Sequence, residues 1–115
     1  MSPSADGSKD IKNEKPMYII IWEFHVIPEK EKEFVKLYGR NGHWVKFFET
    51  DDDYFESDLI KDVHKVGRYV TVDYWIDKKA YEHFRTQHNE EYQELDLKGA
   101  SFTLKEKQIG EFESL

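Results

Sequence analysis

The chain has 115 residues, no cysteine and a formal net charge of −7, which bounds it to one modest domain without disulfides, a thiolate nucleophile or a cysteine-held metal. The acidity opposes nucleic acid and anionic membrane surfaces as partners. No apolar run approaches the roughly 20 residues of a membrane span.

The charged share is 36%, but eight Phe, seven Tyr and three Trp carry the apolar content. Each buried aromatic removes roughly 150–250 Å² from water, so a few of them fill a small core, and the composition predicts a packed fold rather than disorder.

Residues 1–16, MSPSADGSKDIKNEKP, balance three Lys against three acids and contain no aromatic. They are expected to form a disordered tail without the apolar core of a signal peptide, ahead of a single domain over 17–115. A cytoplasmic location follows from the same reading.

The stretch MYIIIWEFHVI at 17–27 alternates as a strand. Tyr18, Ile20, Trp22, Phe24 and Val26 share one face; Ile19, Ile21, Glu23, His25 and Ile27 share the other. It is apolar enough on both sides for a central strand. Pro28 stops it and suits the first turn of a helix, with Glu29 and Glu31 near the positive end of the dipole. Phe34, Leu37 and Tyr38 then fall at helical spacing. Gly39 and Gly42 interrupt, and a second helical piece is expected from His43 to Phe48.

Residues 49–53 form an acidic turn. Its Asp51-Asp52-Asp53 begins like a calcium loop, but Phe55 and Glu56 stand where a ligand and the turning glycine are needed. Tyr54 to Val63 alternates weakly between many charges and reads as an edge strand.

A third strand, Arg68 to Ile76, has Val70, Val72 and Tyr74 on an apolar face and Tyr69, Thr71, Asp73 and Trp75 on a polar-aromatic one. Asp77 is a candidate N-cap for a long helix over 78–97. That helix carries Ala80, Tyr81, Phe84, Tyr92 and Leu95 on one stripe, with His88 near its middle. Gly99 is expected to end it, and a last strand follows from Ser101 to Phe112.

The order β-α-(α)-β-β-α-β predicts an α+β, ferredoxin-like split arrangement. Right-handed crossovers put the helices on one face of a four-stranded antiparallel sheet. The other face, expected to carry the polar-aromatic side of the third strand with Thr71 and Trp75, is left for a second copy to cover, so a homodimer is expected.

The segments WEFHVIPEKEKEFVKLYGRNGHW at 22–44, GRYVTVDYW at 67–75, AYEHFRTQHNEEYQELD at 80–96 and IGEF at 109–112 together resemble the antibiotic biosynthesis monooxygenase family of dimeric α+β barrels, over nearly the whole of 18–112. The resemblance implies two four-stranded sheets closing across a dimer and a ligand pocket between helices and sheet in each subunit. It further implies cofactor-independent oxygenation of a small phenol- or quinol-type aromatic, or the non-catalytic, small-molecule-binding or stress-response role of a module with the same fold. Haem-degrading relatives place a Trp early in the last helix and a ligating His about three turns later. Phe84 and Glu94 stand there in this chain, so haem in that mode is not expected, and the cofactor expectation is none.

His88 is the sharpest catalytic candidate. An imidazole among aromatics can act as a base on a phenol; equally, it can be a core histidine bonded to a carbonyl or a Tyr hydroxyl. Trp22, Phe24, Tyr38, Tyr74 and Phe84 are expected to line the pocket or to be ordinary core, with His43 and Trp44 as a lid after the glycine break. Glu23, His25 and Asp73 are expected to meet on the bare face. There they would form a proton relay, a divalent metal site, or a polar network that fixes the dimer register. No metal is assigned to them.

Overall fold

The computed structural model of the chain describes residues 16–115. All of the expected tail but Pro16 therefore lies outside the described residues.

The first strand, β1 (Tyr18–Val26), is followed by a 3-10 turn (Pro28–Lys30) and two helices, α1 (Glu31–Tyr38) and α2 (His43–Phe48). Then come β2 (Tyr54–Lys61), β3 (Arg68–Trp75), α3 (Lys78–Gln87), α4 (Asn89–Ala100) and β4 (Thr103–Glu113). The sheet order is β2-β3-β1-β4 with every pair antiparallel. The expected central and edge strands thus hold their places, and the architecture is the α+β, ferredoxin-like arrangement.

The helices cover one face of the sheet and bury an aromatic core there. Trp75, Phe34 and Phe84 are fully buried, and Ile20, Val26, Leu37 and Val45 are the only aliphatic members among the buried apolar residues described. Most rings meet edge-on or tilted, as at Phe48–Trp75 and Phe47–Phe84, which their quadrupoles favour over a face-to-face sandwich, while Phe34–Tyr38 and Phe47–Phe48 stack. Asp77 caps α3 by accepting a hydrogen bond from the Ala80 N–H at 2.8 Å. Gly67, at φ +82°, makes the turn into β3 in a region that L side chains rarely enter.

The phase of β3 is the reverse of the sequence expectation. Cross-strand pairing sets Trp75 opposite Tyr18, Asp73 opposite Ile20, Thr71 opposite Trp22 and Tyr69 opposite Phe24. These residues face the helices, and Tyr69, Thr71 and Trp75 are buried within the one subunit. Val70, Val72 and Tyr74 instead pair with Glu23, Ile21 and Ile19 on the uncovered face. The reason is volume: the wide gap beneath the helices is filled by large rings, and β-branched side chains are left for the flat outer surface.

The long helix expected over 78–97 is two. His88, at φ −121° and ψ 36°, leaves helical geometry and kinks the chain between α3 and α4. The Tyr81 and Tyr92 hydroxyls hydrogen-bond across the kink at 3.1 Å. Gly99 does not end the helix; α4 runs on to Ala100. A Cβ at Gly99 would collide with the Tyr38 hydroxyl, so glycine there lets α4 pass close over α1. Among the described residues no helix is long and apolar enough to cross a membrane.

Candidate functional site

Between the sheet and the helical layer lies a cleft whose floor comes from β1, β3 and β4 and whose roof comes from α1, α2 and α4. Trp22, Phe24 and Thr71 form the floor, and Tyr38, Trp44 and Tyr92 the roof. Its free volume is about 40 Å³ for a water-sized occupant, and about 460 Å³ when all space out to the open mouth is counted. The smaller figure admits a few waters; an apolar cavity that takes a benzene ring needs about 150 Å³. A ring therefore enters this cleft only with movement of a wall such as Trp22, which is half-buried.

At one end of the floor stands Asp73. Burial pushes its carboxyl from an ordinary 3.8 up to about 6, against a smaller downward pull from the Ser57 hydrogen bond. Ser57, its cross-strand neighbour on β2, donates to Asp73 Oδ1 at 2.5 Å. Ser57 in turn accepts from the Tyr54 hydroxyl at 2.7 Å. The result is a directed chain, Tyr54 to Ser57 to Asp73, ending on a carboxylate that protonates near neutrality.

Simple alternation would put Tyr54 and Ser57 on opposite faces. A register shift between Tyr54 and Glu56 brings both to the helix side, as a bulge does. That shift has no signature in the sequence, which is why Ser57 was missed.

Two further carboxylates, Asp96 of α4 and Glu106 of β4, line the same cleft. The Glu106 carboxyl is raised, first by burial and then by the charge of Asp96. The buried Trp44, which also lines the cleft, directs its N–H toward the Tyr38 hydroxyl of the same roof, a contact that opposes the upward push of burial on that hydroxyl.

The expected site residues divide into several places. Trp22, Phe24, Tyr38 and Trp44 line the cleft. Phe84 is fully buried core. Tyr74 is not in the cleft; its strand phase carries it to the uncovered face.

His88 is exposed. It packs on Phe84 and Phe47, with ring centroids at 4.7 and 5.9 Å. With His43 it borders a separate surface groove between α2 and α4. The helical stripe that pointed His88 inward is broken by the kink at His88 itself, so no imidazole reaches the cleft.

The expected Glu23–His25–Asp73 cluster does not form, because Asp73 faces the helices and the other two face away. Glu23 pairs instead with Arg68, Nε to Oε2 at 2.5 Å, and Arg68 reaches Asp62 at 3.1 Å. The Arg68 hydrogen bond holds the Glu23 carboxyl below the usual carboxylate range. The His25 ring lies 3.9 Å from Glu23. No group of three His, Cys, Asp or Glu among the described residues is arranged to hold a metal ion.

A four-stranded antiparallel sheet in the order β2-β3-β1-β4, helices on one face only and a cleft between the layers define the fold of the antibiotic biosynthesis monooxygenases. The chain shares it with SnoaB, a cofactor-independent oxygenase from Streptomyces nogalater, at TM-score 0.67 and 17% identity, over 88% of this chain and 94% of that one. A protein of Nitrosomonas europaea, provisionally assigned as an antibiotic biosynthesis monooxygenase, aligns at TM-score 0.70 and 15% identity over 88% and 92% of the two chains. A conserved protein of unknown function from Bacteroides thetaiotaomicron aligns at TM-score 0.67 and 6% identity over 87% and 98%. No family model and no curated protein matches the chain. At these identities the likeness carries the fold.

Proposed function

We propose that this chain is a small oxygenase that works on a phenol- or quinol-type aromatic without a cofactor, with Asp73 as the proton acceptor. The observation that supports this most is a raised carboxylate at the end of a hydrogen-bonded chain, facing a cleft walled by aromatic rings. SnoaB, of the same fold, is a cofactor-independent oxygenase.

In the reaction, ionised Asp73 takes a proton from the substrate and leaves an electron-rich anion. Dioxygen accepts one electron from it, and the two radicals join as a C–O bond. Asp73 returns the proton to give a hydroperoxide on the ring carbon, and loss of water with that carbon's hydrogen leaves a second carbonyl: a phenol O–H and a ring C–H plus O2 become a quinone plus H2O. The substrate supplies all the electrons.

Moving a proton from a phenol of pKa near 10 to an acceptor near 6 costs about 5 kcal/mol. That fits under the barrier of roughly 16 kcal/mol for a turnover of about 10 per second. Ser57 steadies the anionic form of Asp73 by donating to it.

The uncovered face supports a homodimer. Ile19, Ile21, Val70, Val72 and Tyr74 share it, and Ile60 and Phe112 at its edges are 54% and 45% exposed. An apolar sheet face of this kind is costly to leave in water, and a second copy covers it with the same side chains.

Oxygen uptake with a panel of quinols and anthrone-type phenols tests the oxygenase reading. Turnover that rises through pH 6 and is lost in Asp73→Asn is expected; uptake indifferent to that substitution contradicts it. A second reading, ligand binding without turnover, draws on the small free volume of the cleft. It predicts binding of the same compounds with no oxygen consumed.

A further inference from the structure

The charges around the cleft are all of one sign. Among the described residues, Asp73, Asp96 and Glu106 line it, and no Lys, Arg or His does. Asp96 and Glu106 have no ion-pair partner among the described residues, and Glu106 titrates high because burial and the Asp96 charge both oppose its ionisation. The one guanidinium against a cleft wall, that of Arg85 over the Tyr92 ring at 4.3 Å, lines a different groove with Lys78 and Glu111. The remaining lining is largely aromatic, including half-buried Trp22 on the floor and Trp44 and Tyr92 above. Ring faces and carboxylates together, with no cation, are the surroundings that an ammonium group prefers.

We propose that the ligand of this cleft is a cationic aromatic, an aryl-ethylamine whose ring lies on Trp22 and whose ammonium sits between Asp96 and Glu106. The assignment rests on the reading of the cleft as a small-aromatic site and names the class of aromatic. An ammonium there separates two carboxylates that otherwise repel each other. The neutral phenol end then lies toward Asp73.

Length decides between aryl amines. Asp73 pairs with Ile20 and Glu106 with Phe24 across β1. They are two strand steps and four residues apart, roughly 16 Å between backbones. An aryl-ethylamine spans about 8 Å between its oxygen and nitrogen, and a hydrogen bond of about 2.8 Å at each end brings the total near 14 Å. The flexible Glu106 side chain closes the difference, whereas an aminophenol is too short to touch both ends. The head group agrees with the free volume: a primary ammonium is as small as water and fits space that exists, where a trimethylammonium would not, while the ring enters as Trp22 moves.

The test is titration calorimetry on the full chain with three matched phenols: tyramine, neutral N-acetyltyramine and anionic 3-(4-hydroxyphenyl)propionate. Tyramine is expected to bind tightest and the propionate weakest, with the gap narrowing in high salt. Asp96→Asn and Glu106→Gln should each weaken tyramine by about fivefold or more and leave N-acetyltyramine unchanged, with unaltered circular dichroism. Equal affinity across the three phenols overturns the assignment. So does indifference of tyramine to both substitutions, or no tyramine binding at millimolar concentration. The oxygenase reading fails separately: tyramine would bind with the expected preference, yet no phenolic amine would drive oxygen uptake.

Discussion

The two faces of the sheet are built from the same four strands and solve different problems. On the helix side, Tyr18, Phe24, Tyr69 and Trp75 are large, buried and surrounded by rings from α1, α2 and α3. That side also holds the one carboxylate whose burial carries it to about 6. On the uncovered side, Ile19, Ile21, Val70 and Val72 are smaller and β-branched, and the ionised groups Glu23, Arg68 and Asp62 satisfy one another. The contrast teaches where chemistry can reside. On the open face Glu23, Arg68 and Asp62 pair with one another and stay ionised; in the cleft the Asp73 carboxyl has a single serine donor and stays close to protonation.

Substitutions on each side can break this comparison. The largest effect is expected from Trp75→Ala, which empties the middle of the helix-side core and should cost about 3–5 kcal/mol in denaturant unfolding. A loss below 1 kcal/mol would mean that the ring is not packed as described.

Asp73→Asn works in the opposite direction. The folded carboxyl titrates above its unfolded value, so the native state binds more protons between pH 3.8 and about 6, and stability falls as pH rises through that window. Removing the charge should therefore stabilise the protein by up to about 3 kcal/mol above pH 6, with no gain below pH 4. A variant that is more stable and yet inactive would mark Asp73 as retained for function at the expense of the fold.

On the uncovered face, Val72→Lys should leave the monomer folded, since that position shares the face of Ile21, opposite the helices. It should weaken self-association on the order of 100-fold by sedimentation, through burial of an unpaired charge in the joint. Unchanged association would remove this face from the dimer. The smallest effect belongs to Glu23→Gln, which breaks a partly exposed ion pair. It should lower the melting temperature slightly in low salt and not at all in high salt. Because Arg68 holds the Glu23 carboxyl low, the difference should be present above the ordinary carboxylate range and fade as pH falls.

Much of this fold was legible in the chain. The alternation from Tyr18 to Val26, the Pro28 stop, the spacing of Phe34, Leu37 and Tyr38 and the Asp77 cap each follow from local rules, and each holds. The site was less legible for a physical reason. Both faces of β3 are half apolar, so periodicity alone does not say which one the helices cover; the volume beneath the helices decides, and it is set by residues far away in sequence. Two further features escape alternation altogether: the register shift that places Tyr54 and Ser57 on one face, and the kink that turns His88 out to solvent. Asp73 was therefore grouped with Glu23 and His25, which lie across the sheet, instead of with Ser57, 2.5 Å away.

The most direct measurement is an NMR titration of the Asp73 side-chain carboxyl in the full chain. A midpoint near 6, rising further in Ser57→Ala because the donor that steadies the anion is gone, is the outcome that this account predicts. A midpoint near 3.8 would mean that water reaches the carboxylate freely, and Asp73 would then lose its place as the proton acceptor of the cleft.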